Sequence, residues 1–200
     1  DYPYKLPDLQ ITPRYVYLSS MAESSLLYHQ EIGEYIAKNP DIKLVFQPGT
    51  FQMKLGIEKL ADIYHHTEIF FCNVEEARLI LKTESDDKKE LMSMLHALGP
   101  KIVVVTDGIK GAYVFDGTKA WFMPVYPHKP IERTGAGDAF ASTFTSAIAL
   151  GKTIEEALLW APINAASVTQ KVGAQAGLLT REELADALTK APADYKPQEI

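Results

Sequence analysis

Strand-like and helix-like segments alternate along this chain, and that alternation limits the folds open to it more than any other feature. "RYVYLSS" (14–20) is rich in aromatic and β-branched residues and reads as a short strand. "SSLLYHQEIGEYIAKN" (24–39) places Leu27, Ile32, Tyr35 and Ile36 at helical spacing, with Ser24 or Ser25 as its N-cap. "IKLVF" (42–46) is a buried type of strand closed by the "QPGT" turn at 47–50, and "LGIEKLADIYHH" is helical. "EIFFCN" (68–73) is the next strand, and "VEEARLIL" begins a short helix. "DDKKELMSMLHALG" sets Leu91, Met94, Leu95 and Leu98 on one side and stops at Gly99. "KIVVVTDG" (101–108) is the most strand-like run of all.

The pattern then changes. "AYVFDGTKAWFMPV" reads as a β-hairpin turning through Asp116-Gly117. From 135 onward the period is helical, with "TIEE" (153–156) and "TREE" (180–183) forming capping boxes that put Thr153 and Thr180 at helix starts. Pro162 is expected to kink or divide the longest helical stretch. The order β-α-β-α-β-α-α-β-β-β-α-α-α implies an α/β layer fold, a mostly parallel sheet covered on both faces with one local antiparallel hairpin. A single domain over residues 1–200 is the default at this length. The proline-rich opening "DYPYKLPDLQITP" reads as a connection entering that domain.

Charge narrows the function. The formal net charge is −6, and Lys and Arg are scattered rather than clustered. Nucleic acid and anionic membranes both want a basic face, so neither is an expected partner. No apolar run approaches the length of a membrane span. The one cysteine, Cys72, forbids an internal disulfide and fits a reducing cytosol, so a cytoplasmic location is expected. Its apolar setting, "IFFCNV", reads as a buried and inert thiol.

The chemistry is concentrated in "ERTGAGDAF" (132–140). In α/β sheets of this kind, ligands gather on the turns that lead from strands into helices. Gly135 and Gly137 let the backbone approach a ligand, and the helix that follows aims free N–H groups and its positive dipole end at the same place. Asp138 in that first turn can act on a group beside a bound anion, or it can simply cap the helix; the stretch alone leaves both open. "NVEE" is equally double. Asn73 and Glu76 lie one helical step apart and can face one point, or they can be a helix cap and a solvated acid. The adjacent pair His65-His66 is read as a helix-end pair rather than a metal site, and His29, His96 and His128 are isolated. The aromatic run "WFMPVY" (121–126) packs a hairpin onto the core, with an exposed part able to touch a base.

"RTGAGDAFASTF" resembles the C-terminal signature of the ribokinase-like, or PfkB-type, carbohydrate kinases, whose usual form is D-T-T-G-A-G-D-x-F. Three more segments agree in kind and order: "NVEE" (73–76), "VVVTDGIKGAYVF" (103–115) and "INAASVTQKVGAQAGL" (163–178). The resemblance covers roughly residues 14 to 190. It implies a three-layer α/β/α fold and transfer of the γ-phosphoryl group of ATP to a hydroxymethyl of a sugar or nucleoside. By resemblance, Asp138 receives the proton of the attacking hydroxyl, and the amides of Gly135, Ala136 and Gly137 form the anion hole. Such a division of labour suits phosphoryl transfer, which is mostly positioning and electrostatic stabilisation. The resemblance gives Asn73 and Glu76 a Mg²⁺ met through water, a cation that needs only one or two carboxylates. Thr106 and Gly108 take the ATP phosphate and ribose side, and Gly111 allows the turn into the hairpin. Asp107 between them is assigned no more than a solvent-facing position. Asn164, Gly173 and Ala174 are candidates for the adenine and monovalent-cation region.

The chain also departs from the pattern. Glu132 and Arg133 stand where the signature has Asp and Thr, and the longer Glu132 counts against a bound K⁺. Asn164 stands two residues nearer to "GA" than the family's Asn, whose place Pro162 occupies. The family's N-terminal sugar-binding element and β-sheet lid are not found, so the sequence reads as the C-terminal, ATP-binding and catalytic portion of such a kinase. A homodimer is then expected only through that missing lid. A nucleotide-binding homologue or scaffold without turnover is the alternative. A dinucleotide-binding oxidoreductase lacks the early strand-G-x-G-x-x-G-helix unit it would need.

Overall fold

The computed structural model describes residues 4–7 and 9–200; the rest of the proline-rich opening lies outside the described residues. In chain order the elements are β1 (Tyr15–Leu18), α1 (Leu26–Lys38), β2 (Lys43–Phe46), α2 (Thr50–Leu55), α3 (Ala61–His66), β3 (Thr67–Asn73), α4 (Val74–Leu81) and α5 (Lys88–His96). They continue as β4 (Ile102–Thr106), β5 (Ala112–Phe115), β6 (Ala120–Met123), α6 (Ala136–Ala149), α7 (Ile154–Thr169), α8 (Arg181–Thr189) and β7 (Gln198–Glu199). The strands run in the order β1 to β7 in a seven-stranded sheet. β1 pairs parallel with β2, and β2 parallel with β3, while β6 and β7 are antiparallel. The sheet is therefore mixed, as the change of pattern after β4 requires. Among the described residues no helix is long and apolar enough to cross a membrane.

The chain gathers into two compact units, Asp1–Val105 with Val114–Ala120 and Thr106–Tyr113 with Trp121–Ile200. In the first, β2, β3 and β4 are strands buried on both faces, which is why "LVF", "IFFC" and "VVV" read as continuous apolar runs rather than alternating ones. Phe46, Tyr64 and Phe70 meet with ring centroids 5.5–5.7 Å apart at the centre of that core. Cys72 is buried in β3, and burial pushes its thiol pKa well up, as expected of an inert thiol. At the other end of these strands Glu68 receives Lys43 Nζ at 3.0 Å and Lys101 Nζ at 2.9 Å.

His29 is not isolated. Its ring is buried on α1, with Nδ1 2.7 Å from the Ser25 carbonyl, which can only accept, so Nδ1 carries the proton. Nε2 then accepts from Gln52 Nε2 at 3.0 Å. Gln52 also donates to the Ser19 carbonyl at 2.7 Å and accepts from the Gly49 N–H at 2.7 Å. This fully paired knot fixes the "FQPGT" loop against the end of β1.

The second unit is built on α6 against α7. Small residues at the facing positions (Ala141, Ala147, Ala157, Ala161) are all but fully buried and let the helices approach closely, with Phe144 and Leu158 filling between them. Asn164 ties them further, donating to Thr143 Oγ1 at 2.7 Å. The capping boxes at Thr153 and Thr180 are both formed.

Three expectations need correction. The helix expected over "LGIEKLADIYHH" is broken, because Gly56 at φ 84° ends α2 and a 3₁₀ turn (Glu58–Leu60) precedes α3. Pro162 does not divide α7; the helix is assigned without a break for 16 residues, and the buried face around Ala157, Leu158 and Ala161 offsets the lost backbone hydrogen bond. The strand β7, which pairs Gln198 with Phe122 and Glu199 with Trp121, had no apolar pattern to announce it.

Candidate functional site

"RTGA" forms a tight turn in which the Ala136 N–H donates to the Arg133 carbonyl at 3.3 Å. Gly135 has φ 83° and ψ −4°, the conformation that the third residue of a type II turn requires and that favours glycine. A Cβ there would also lie 2.6 Å from the Ala174 carbonyl oxygen, so Gly135 is demanded twice over. The turn delivers the chain into α6, whose first turn contains Ala136, Gly137 and Asp138. In that turn the N–H groups have no partner four residues back, and the positive end of the helix dipole faces out. Gly137 is a different kind of glycine. Its φ is not left-handed, and nothing lies within 4 Å of where its Cβ would be. Neither strain nor packing asks for glycine there, and the missing side chain leaves a space.

That space opens on a cleft of about 240 Å³ within the second unit. Five of the residues expected at the site line it together: Thr106, Gly108 and Gly111 from the end of β4 and the turn after it, and Ala136 and Gly137 from α6. Gly108, like Gly137, has open space at its Cβ position. At Gly111 (φ 107°) a Cβ would strike the Met123 carbonyl oxygen at 2.4 Å, so that glycine serves the hairpin turn. The other walls are largely apolar, with Val125, Tyr126, Pro162 and Ala166 among them. A cleft of this size, below the roughly 300–1,000 Å³ of typical ligand pockets, takes the apolar part of a ligand and leaves its polar part at the rim.

Beside the turn, Ile131 and Glu132 donate their N–H groups to the Thr169 carbonyl at 2.7 and 3.1 Å. The Glu132 carboxylate accepts from the Gly173 N–H at 2.9 Å, and hydrogen bonds from Thr134 and Gly173 hold its pKa down. Gly173 and Ala174 thus meet the signature turn itself, Ala174 by closing against Gly135.

In the first unit, Asn73 and Glu76 form a reciprocal capping box at the start of α4. The Glu76 N–H donates to Asn73 Oδ1 at 2.8 Å, and the Asn73 N–H donates to Glu76 Oε2 at 2.9 Å. The cap reading of this pair is therefore realised, and the cap holds two hard oxygen donors in place. Among the described residues no group of three His, Cys, Asp or Glu could hold a metal ion. The donor set fits a cation that keeps most of its water, such as Mg²⁺, and not a fully protein-ligated one.

The sequence matches the pfkB family carbohydrate kinase pattern over residues 13–181. The chain belongs to the PfkB family of carbohydrate kinases. It is 37% identical over 116 residues to a cytidine kinase of Thermococcus kodakarensis, covering 57% of this chain and 41% of that protein. To a ribokinase of Haemophilus influenzae it is 30% identical over 164 residues, covering 80% of this chain and 52% of that one. The structure of Arabidopsis thaliana ribokinase complexed with ribose and ATP superposes with a TM-score of 0.75 at 23% identity, over 87% of this chain and 55% of that one. The chain thus spans about half the length of these relatives, and the ribokinase likeness fixes its fold.

Within this PfkB-family chain, two residues stand otherwise than expected. Asn164 is buried, with its amide nitrogen on Thr143 and its oxygen accepting the Leu179 N–H at 3.0 Å. It is a pin between α6, α7 and the following loop. Asp107 does not face solvent; its side chain is 11% exposed and lies 3.7 Å from Lys110 Nζ. Conversely, Tyr126, His128 and Thr169 line the cleft without having been expected there. Only the exposed part of "WFMPVY" hinted at this wall. Tyr126 is held from behind by Tyr195, ring to ring at 5.2 Å, and Tyr195 in turn donates to the Leu159 carbonyl at 2.9 Å.

Proposed function

We propose that this chain carries the ATP-binding and catalytic machinery of a kinase that phosphorylates a hydroxymethyl group of a sugar or nucleoside. The observation that carries the reading is the cleft, where the strand-end residues Thr106, Gly108 and Gly111 meet the glycine-rich start of α6 and where the space at Gly137 serves no structural need. The names of the relatives, a cytidine kinase and a ribokinase among them, support this acceptor class.

The base of ATP enters the apolar cleft between Val125 and Ala166, and the phosphates lie toward the first turn of α6. The acceptor hydroxyl oxygen attacks the γ-phosphorus, the bond to the β-phosphate oxygen breaks, and ADP leaves. Asp138 takes the hydroxyl proton. It is exposed in the first helical turn and need act only late in a loose transition state. The amides of Gly135, Ala136 and Gly137 stabilise charge on the transferring group, although Ala136 shares its N–H with the Arg133 carbonyl. By the family resemblance, Asn73 and Glu76 would hold a hydrated Mg²⁺, which would supply neutralisation of phosphate charge. With Glu132 committed to Gly173, K⁺ has no part in the proposal. A cytoplasmic location belongs to the same proposal and rests on the lone buried thiol.

Calorimetric titration with ATP, with and without Mg²⁺, followed by a panel of ribose, fructose and cytidine as acceptors, tests this reading. Mg²⁺-dependent binding and acceptor-dependent ADP release are expected. Tight ATP binding with no turnover on any acceptor would favour a nucleotide-binding homologue without catalysis, and absence of ATP binding would refute the reading altogether.

A further inference from the structure

Arg133 is the one permanently charged side chain lining the cleft. It stands where the family signature has threonine, it is exposed, and no ion pair or side-chain hydrogen bond engages it among the described residues. Its acidic neighbour Glu132 does not neutralise it, because that carboxylate is spent on Gly173 and Thr134. His128, the other basic group on the cleft wall, is tied through Nδ1 to the Tyr126 carbonyl at 2.6 Å. The same turn that presents Arg133 weakens the helix-start anion site, since the Arg133 carbonyl takes up the Ala136 N–H. One residue thus removes part of a backbone donor and puts a cation at the rim where an anion would rest.

We propose that Arg133 is a phosphate-positioning residue, its guanidinium gripping the phosphate chain of the nucleotide whose base fills the cleft. The inference rests on the nucleotide reading above and deepens it. A guanidinium offers paired N–H donors that match phosphate oxygens, and charge-assisted hydrogen bonds of this kind are stronger than those of neutral amides. Arg133 therefore makes this chain discriminate by phosphate charge: ATP is held by base and phosphates together, adenosine by the base alone.

The test is a set of equilibrium titrations with ATP and with adenosine on the wild-type chain, Arg133→Gln and Arg133→Lys, alongside thermal unfolding of each. Arg133→Gln is expected to weaken ATP binding about tenfold or more, to leave adenosine binding unchanged and to flatten the salt dependence of ATP affinity. Arg133→Lys should restore part of the loss. Unfolding temperatures should match the wild type, because the exposed side chain makes no hydrogen bond or ion pair among the described residues that its loss would break. Equal ATP affinity in wild type and Arg133→Gln would overturn the inference while leaving the nucleotide reading intact. A parallel loss of adenosine and ATP binding would overturn it too, by making Arg133 a structural residue. Failure of the wild type to bind either ligand would overturn the nucleotide reading and this inference with it.

Discussion

Gly137→Ala separates stability from function, and its two effects should have opposite signs. Gly137 is the second residue of α6, has a helical backbone, and has nothing within 4 Å of its would-be Cβ. Glycine in a helix is destabilising by roughly 0.5–1 kcal/mol relative to alanine. At this chain length about 1 kcal/mol corresponds to about 2–4 °C in Tm. The variant should therefore unfold roughly 1–4 °C higher than the wild type. The added methyl, however, occupies space at the cleft where a phosphate would approach, and ATP affinity should fall at least about tenfold, a loss of about 1.4 kcal/mol. Gly135→Ala is the control. There a non-glycine residue pays about 1–2 kcal/mol for the left-handed conformation, and its Cβ would also meet Ala174 at 2.6–2.9 Å. That variant should melt several degrees lower. Differential scanning calorimetry with and without ATP reads both quantities. A Gly137→Ala protein that is less stable would show the space is not open, and one with unchanged ATP affinity would show that the ligand does not use it.

Asp138→Asn should lower turnover by about a hundredfold or more and leave ATP affinity nearly intact; near-normal kcat would remove Asp138 as the base. Asn164→Ala should cost about 1–3 kcal/mol for each partner left unpaired, measured by urea unfolding, while nucleotide affinity in the folded fraction stays unchanged; selective loss of ATP binding would return Asn164 to the ligand site. Burial holds the His29 pKa below its ordinary 6.5, opposed only in part by its hydrogen bond to Ser25. The folded protein thus binds fewer protons there than the unfolded chain, so this contribution to stability is complete above about pH 6.5 and is lost as pH falls through the folded pKa. The urea midpoint of the wild type should drop between about pH 7 and 5, and His29→Asn should flatten that limb. Glu68 behaves alike at lower pH. Burial raises its pKa, but Lys101 and Lys43 outweigh burial and hold it below the ordinary 4.5, so its contribution disappears as pH falls below that value. A Glu68→Gln variant with an unaltered acid limb would refute this.

Much of the fold was legible because the buried strands are nearly pure apolar runs and the helices carry their own start signals, as at Thr153 and Thr180. The parallel sheet of the first unit follows from "KLVF", "EIFFCN" and "KIVVVT" almost without further information. Where reading failed, tertiary contacts had overridden local chemistry. Pro162 should have divided α7 and did not, because the buried face shared with α6 holds the helix through it. β7 is polar and short, and exists only because β6 offers an edge. At the site, the glycines were visible but their different duties were not. Sequence alone cannot tell that Gly135 and Gly111 answer to backbone strain and crowding, that Gly108 answers to its left-handed backbone, and that Gly137 only leaves room. The pinning role of Asn164 was hidden because its two partners, Thr143 and Leu179, are distant in sequence. The Tyr126 wall was hidden because aromatic residues in a hairpin pack inward more often than they line a cleft.

The lone thiol has a practical consequence. Cys72 is buried in β3, at the heart of the first unit, and it is the only cysteine of the 200 residues. Reagents reach it only when β3 comes away from its neighbours, and until then burial also keeps the thiol protonated and unreactive. The rate of its covalent labelling is thus a built-in clock for the opening of that core. It requires no engineered probe, and it reports on the core of the first unit.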